Sequence, residues 1–384
     1  MSNYDFIIVG AGPVGMCLAI NLAQAKKKVL LLEKNARIAK YSRAPAIWPR
    51  TQEILDELGV LDKILKKAVV HKKMEMLNVD GKNDTKILTI PISELEGQTE
   101  FAQLVVFPQQ KTEKVLLDEL KKYKNVRVMF NAEFVKYREN KTSVSVDYLE
   151  KGKKKVAKAS FLVGCDGARS AVRKAIGAKL AGETYEQEAA LADVRLVSKK
   201  PRGNFRLTSK NQLAVGLRME ETLWRIILPH QKKNAMSLDE QIDQSVKDLF
   251  GSAKFRFVWK SDFRLHNRIS TKFQKGRVVL AGDAAHLNSP VGGQGMNAGI
   301  QDTEVLADAL RTALDKDSVK ALEKYARKRR KQVEKGVNAF TDRATDIVFF
   351  ARGKLIKGVF HFLQALFLIG PVRRKFLRKM AMLD

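Results

Sequence analysis

Tyr4-Asp-Phe-Ile-Ile-Val-Gly10-Ala-Gly-Pro-Val-Gly15 is the stretch on which the fold turns. Residues 4–9 read as a buried strand, and Met16–Ala25 carries apolar residues at helical spacing. Val29–Leu32 is a second strand, closed by Glu33. The order strand, glycine turn, helix, strand, acid is the setting in which GxGxxG binds a dinucleotide. Gly10 permits the tight turn, Gly12 admits a pyrophosphate to the backbone, and Gly15 lets helix and strand pack closely. Glu33, 18 residues beyond Gly15, is placed for a ribose hydroxyl.

Working outward, residues 277–302 repeat the theme near the other end. Val278–Ala281 is a short apolar strand, Gly282–Gly295 is a glycine-dense loop holding Asp283, His286 and Pro290, and a helix runs on from Met296. Loop N–H groups and a helix dipole converge there on any negative charge. Between the two lies Phe161–Gly164, a buried strand leading into Cys165-Asp166-Gly167-Ala168-Arg169, with a helix from Ser170. Asp166 can hold backbone N–H groups and Arg169 can bind phosphate. A plain structural turn explains that stretch equally well.

Arg43 and Arg50 flank a loop and a helix beginning near Pro49, and Gln109 stands at the start of a helix over Lys111–Leu120. Residues 76–92 and 101–107 alternate like strands around a turn at Asp80-Gly81. The pattern predicts strands at Ala190–Leu196, Asn204–Leu207, Leu213–Met219, Thr222–Leu228 and Phe255–Phe263, with a helix at Leu238–Phe250. This region has no phosphate loop, so it reads as a sheet lying over a cofactor.

Composition narrows the class. The chain has 384 residues, 45% of them hydrophobic, which suits two or three globular domains. Two cysteines, Cys17 and Cys165, make neither a disulfide framework nor a metal centre, and a reducing, cytoplasmic setting follows. No signal peptide is read at the start, and no apolar run is long enough to span a membrane. The net charge of +29 attracts anions. No basic stretch interleaves with aromatics as a nucleic-acid surface would, so no nucleic-acid partner is expected. Residues 318–384 hold 17 basic and 5 acidic side chains. In Lys354–Ile369 the polar residues Lys354, Lys357, His361 and Gln364 form one stripe, Pro371 stops the helix, and five cations follow. Two readings of 346–384 stand side by side: an amphipathic contact with an anionic membrane, or a helix docked on the main cofactor-binding domain or on a partner subunit.

The three glycine stretches, in this order, resemble those of the single-component (class A) flavin monooxygenases of the para-hydroxybenzoate hydroxylase fold. Gly10–Gly15 resembles their first FAD fingerprint. Gly164-Cys165-Asp166-Gly167 resembles the motif tied to FAD contact and NAD(P)H use, and Gly282-Asp283 with Pro290, Gly292, Gly293, Gly295 and Asn297 their second flavin motif. The resemblance covers residues 3–330. It implies an α/β fold (α+β overall) in which a Rossmann-like FAD-binding domain (1–75, 101–180, 268–330) carries an inserted β-sheet substrate domain (76–100, 181–267) and C-terminal helices (331–384).

The resemblance also assigns roles. Gly10, Gly12, Pro13, Val14 and Gly15 would cradle the pyrophosphate, Glu33 and Lys34 the adenosine ribose, and Arg43, Gln109, Asp166 and Asp283 the rest of the FAD chain. Pro290, Gly293, Gly295, Met296 and Asn297 would face the flavin. It implies hydroxylation of an aromatic or other hydrophobic small molecule with NADH or NADPH and oxygen, through a flavin hydroperoxide. No side-chain nucleophile is needed; Arg43, His286 and Pro290 are the candidates nearest the chemistry, with a loop-building role favoured for His286. Ser289-Pro290 departs from the usual two prolines. A reductase of polyprenyl substrates and a non-catalytic FAD-bound membrane protein are the alternatives, and a monomer or homodimer is expected.

Overall fold

The computed structural model describes residues 3–40, 44–79, 84–197, 201–210, 213–230, 236–251, 254–350 and 354–383. Arg43 and the expected Asp80-Gly81 turn lie outside them.

The first sheet is built on parallel strands. Asn3–Val9 pairs with Lys153–Gly164 on one side and Val29–Leu32 on the other; Val126–Met129 and Val278–Leu280 extend it outward. Val29–Leu32 and Val278–Leu280 are unbroken apolar runs because both faces of the sheet are covered, one by helices and the other mainly by the hairpin side chains Phe134, Val146 and Tyr148. The helices Pro13–Gln24 and Gly295–Asp315 supply one cover, through Met16, Leu18, Ile20, Ile300, Leu306 and Leu310. A hairpin, Ala132–Glu139 with Val144–Glu150, continues the sheet from Lys153–Gly164. The register decides the site. Val9 lies beside Gly164 and Leu32, and Gly164 lies beside Leu280. Gly10, Glu33, Asp166 and Asp283 therefore emerge together at the carboxyl ends of neighbouring strands, where open α/β sheets bind ligands.

The second sheet has eight strands, ordered His286–Leu287, Phe255–Ser270, Leu180–Leu196, Leu223–His230, Ala214–Arg218, Phe205–Thr208, Met74–Asn78 and Thr85–Ile90. Its outer face packs on the helix Leu238–Phe250 through Trp224, Ile226, Leu228 and Phe250. That helix is started by a capping box between Ser237 and Glu240. The inner face meets the first unit through Leu207, Leu217 and Leu223 against Ala46, Trp48, Val106 and Ala298. A small sheet of Ala46–Ile47, Leu104–Val106 and Val69–His71 belongs to this boundary.

Several elements differ from expectation. The strand expected at Ala190–Leu196 begins at Leu180, because an irregularity between Thr184 and Glu188 absorbs a polar segment whose alternation is broken. Its partner likewise runs past Phe263 to Ser270. The loop expected over Gly282–Gly295 contains a two-residue strand, His286–Leu287, which pairs with Arg268 and Ile269 of the second sheet. Pro371 does not end a helix. The helix Lys354–Leu366 stops before it, and Pro371 sits in the first turn of Gly370–Met380, where its missing N–H costs nothing. Both C-terminal helices dock on the second sheet. Phe360, Phe367, Leu377 and Met380 share its core with Leu88 and Ile90, and Gln364 accepts the Thr89 N–H of the edge strand at 3.1 Å.

Candidate cofactor site

The first glycine turn divides its labour. A Cβ on Gly10 would fall 2.4 Å from the Cys165 carbonyl oxygen, and φ there is +105°. A Cβ on Gly15 would fall 2.0 Å from the Gly10 carbonyl oxygen. Both glycines are demanded by packing. Gly12 is different: a Cβ there meets nothing within 4 Å, so the backbone is open at the start of the Pro13–Gln24 helix. That helix has no side-chain cap and no acid in its first turn. Its first N–H groups lack intrahelical partners, and an anion is favoured there. Pro13 opens the helix, while Val14 packs against Gly282 and Gly299, which carry no side chain to obstruct it.

Glu33 lies against this turn. One carboxylate oxygen accepts the Ala11 N–H at 2.9 Å; the other accepts the Asn35 backbone N–H at 2.9 Å and its side-chain N–H at 2.7 Å. Lys34 is exposed beside it. The Asp166 carboxylate is engaged locally. It accepts from Ser170 Oγ and from the Ala171 and Val172 N–H groups, and so starts the short helix Ala171–Ala175. The plain turn is what the structure contains there. Arg169 is exposed, whereas Arg173 is buried and donates to the carbonyls of Ala168 and Ala284, tying the second glycine stretch to the third. Gln109 spends its side-chain N–H on Glu113 at 2.8 Å.

The third stretch is held from beneath. Asp283 is exposed at the strand end, as is Pro290 further along the loop. His286 points inward to Asp302 at 2.8 Å. Asp302 also accepts the Gly282 N–H at 2.7 Å and pairs with Arg329. Burial alone raises the Asp302 pKa, but His286, Arg329 and the Gly282 N–H outweigh it and bring it down to about 2. His286 is thus a structural residue, not an acid–base group facing a substrate. Ser289 is buried, and its hydroxyl accepts from Thr345 Oγ1 at 2.5 Å, a contact that proline cannot make. Gly292 and Gly293 have φ of +87° and +64°, and Trp48 Nε1 donates to the Gly292 carbonyl at 2.9 Å.

The Asn297 side chain is taken up by backbone partners within the protein. Its Oδ1 accepts the Trp48 N–H at 2.9 Å, and its Nδ2 donates to Ala46 and Gly293 carbonyls at 2.9 and 2.8 Å. What remains for a ligand is the start of the Gly295–Asp315 helix, with Gly295 and Met296 partly exposed, no side-chain cap and no acid in the first turn.

Burial pushes the thiol pKa of both Cys17 and Cys165 up, which suits packing and not nucleophilic attack. Glu188, His230 and Asp262 approach one another on the second sheet, with ligand-type atoms within 4.8 Å. Arg264 already supplies a positive charge there, donating to Glu188 at 3.1 Å.

Sequence reasoning missed Trp48, Gly299, Asp302, Arg173 and Arg329. Arg329 was hidden in a basic run, Lys320–Gln332, that reads as solvated surface. Trp48 and Asn297 lie 249 positions apart and carry no shared pattern.

A parallel sheet, an open glycine turn with an acid beside it, and a second uncapped helix start define a dinucleotide-dependent oxidoreductase. The chain belongs to the FAD binding domain family, which matches residues 3–340. It is similar to para-nitrophenol 4-monooxygenase of Pseudomonas sp. (strain WBC-3), 30% identical over 335 residues, covering 85% of this chain and 82% of the relative. A flavin-dependent monooxygenase of Mycobacteroides abscessus is 31% identical over 342 residues, 84% of this chain and 70% of that one. The crystal structure of p-nitrophenol 4-monooxygenase from Pseudomonas putida DLL-E4 superposes with a TM-score of 0.90 at 25% identity, covering 99% of both chains. The protein is an FAD-dependent monooxygenase that uses NAD(P)H. The reductase and non-catalytic alternatives find no support among these relatives. No helix of the described residues is long and apolar enough to cross a membrane.

Proposed function

We propose that the enzyme hydroxylates a small, largely apolar phenol, adding one atom of oxygen per NAD(P)H consumed. His71 carries this reading. It is buried on the strand Val69–His71, edge-on to Phe205 at 6.4 Å, and its Nε2 has no hydrogen-bond partner among the described residues. It lies in the boundary layer with Leu104, its strand partner in the small sheet, and Phe205. An orphan polar atom in such a layer is costly unless a ligand group meets it. Burial, and then the charge of Arg218, lower the His71 pKa to about 4, so the ring is neutral at pH 7 and, as the Nδ1–H tautomer, can accept a hydrogen bond from a phenol hydroxyl at Nε2. The names of two relatives, which act on para-nitrophenol, agree with a phenol.

FAD supplies the redox chemistry, carrying electrons from NAD(P)H to oxygen. The residues of the chain hold it. The open Gly12 backbone and the Pro13 helix start would receive the pyrophosphate, and Glu33 the ribose. The Gly295–Met296 N–H groups would stabilise negative charge on the flavin ring. Asp283 and Pro290 line the exposed side of the same loop.

The balance is one phenol, one oxygen molecule, one NAD(P)H and one proton giving a hydroxylated phenol, NAD(P)+ and water. An oxygen electrode with labelled oxygen gas tests it, using NADH and NADPH against phenol, 4-nitrophenol and a non-aromatic alcohol. The reading predicts phenol-dependent oxygen uptake with label in the product. NAD(P)H oxidation that no phenol accelerates, or unlabelled product, overturns it.

A further inference from the structure

We propose that the corner between the helices Lys354–Leu366 and Gly370–Met380 is a docking surface for an anionic lipid bilayer. The inference stands apart from the identity of the substrate. The inward faces of both helices are already committed. Phe360, Phe367, Leu377 and Met380 are buried in the core of the second sheet, Gln364 caps the Thr89 N–H, and Arg373 pairs with Glu94 at 2.7 Å. The helices are therefore fixed, and their outer side is presented as a rigid surface.

That outer side is apolar at its tip. Phe362 is 64% exposed, Leu368 79%, Ile369 51% and Val372 41%. These four side chains fall within eleven residues of sequence, Phe362 on the first helix, Leu368 and Ile369 in the turn and Val372 at the start of the second, with exposed Ala365 and Pro371 between them. Nothing in the cofactor site uses them. Large exposed apolar side chains flanked by cations suit a bilayer interface.

Charge selects the kind of surface. Arg374, Lys375 and Lys379 are exposed on the helix that follows the tip. From Ile347 to Leu383 the sequence contains no acidic residue. Exposed cations on the helix beside an apolar turn, on a chain of net charge +29, are complementary to anionic headgroups and not to neutral ones. In the helix Lys354–Leu366, Phe360 is already taken up by the core, so the proposed contact is the turn that ends the helix.

The test is co-sedimentation of the full-length FAD-loaded protein with vesicles of phosphatidylcholine alone or mixed with phosphatidylglycerol. The protein should pellet with the mixed vesicles and stay in solution with the neutral ones. Leu368→Ser with Ile369→Ser, and separately Arg374→Glu with Lys375→Glu, should each lower bound protein about tenfold. Both variants should keep the flavin absorbance and the turnover of a water-soluble substrate, which shows that they fold. Wild-type protein left in the supernatant, or variants that bind as well as wild type, overturns the proposal. So does a loss of self-association in the Leu368 and Ile369 variant without any change in vesicle binding.

Discussion

His286 Nε2 lies 2.8 Å from Asp302 Oδ2, and both side chains are buried. The same carboxylate holds the Gly282 N–H and pairs with Arg329, whose guanidinium also donates to the Ala298 carbonyl at 2.9 Å. One acid thus joins the flavin loop, the helix behind it and the basic helix Lys320–Gln332. Phe273 stacks on the outer face of the His286 ring, with centroids 6.2 Å apart.

Asp302→Asn should leave Arg329 as a buried charge without its counter-charge and cost about 3–5 kcal/mol. Urea unfolding followed by tryptophan fluorescence measures it; a loss below about 1 kcal/mol would contradict the assignment. The same acid sets a pH window. Its pKa in the folded protein is about 2, below the usual carboxylate value of about 4. Its stabilisation is fully present above pH 4 or so and is lost as pH falls from there through 2. The Asn variant should lack that acid-sensitive component.

Gly12→Ala separates folding from binding. A Cβ at Gly12 meets no protein atom within 4 Å, so the melting temperature of the FAD-free protein should hold within a degree or two. Because the Cβ would stand where the pyrophosphate approaches, FAD affinity should fall at least about tenfold in a fluorescence titration. Gly10→Ala, which would collide with Cys165, should instead yield insoluble protein. Equal behaviour of the two variants would refute the division of labour between these glycines.

Asn297→Ala removes the bridge from the Gly295–Asp315 helix to Ala46 and Trp48. Three buried backbone groups lose a partner, for a cost of about 1–3 kcal/mol. FAD should also dissociate faster, since the loop around Gly292 and Gly293 is anchored by the same residues. Stopped-flow release of flavin fluorescence reads this directly, and an unchanged rate argues against the anchor.

His71→Phe should reduce kcat/KM for a phenol about a hundredfold while leaving FAD affinity unchanged. His71→Gln, which retains an acceptor, should recover part of the loss. In the wild type the acidic limb of kcat/KM governed by this group should fall near pH 4, because burial and then Arg218 depress its pKa. Protonation of the buried ring opposes folding, so its contribution to stability is full above pH 6.5 and declines as pH drops through 4. A limb at pH 6.5 that vanishes in the Phe variant would mean an exposed, ordinary histidine.

The parallel core and the three glycine stretches were legible because they are local. Gly10, Gly12, Gly15 and Glu33 fall in one strand–turn–helix–strand unit, and periodicity finds such units. Asp166 was ambiguous in the sequence because a helix-starting acid and a phosphate-loop acid occupy the same place in the pattern. The partners of Asn297 were illegible for a related reason: helix position gives direction along the axis but not which neighbour the side chain meets. The His71–Phe205 contact, the Arg329–Asp302 pair and the Gln364 cap join residues far apart in the chain. Such partners are set by tertiary packing, and no local pattern announces them. The C-terminal helix showed its amphipathicity in the sequence, yet an apolar stripe looks alike whether a sheet or a lipid covers it.

The short strand His286–Leu287 makes the enzyme indivisible. It is spliced from the cofactor loop into the edge of the other sheet, beside Arg268 and Ile269. That other sheet also draws strands from residues 74–90 and 180–270. No cut of the chain yields a cofactor half and a substrate half that are each whole. A displacement of the sheet must pull on the loop that carries Asp283 and Pro290, so sheet and loop move as one piece.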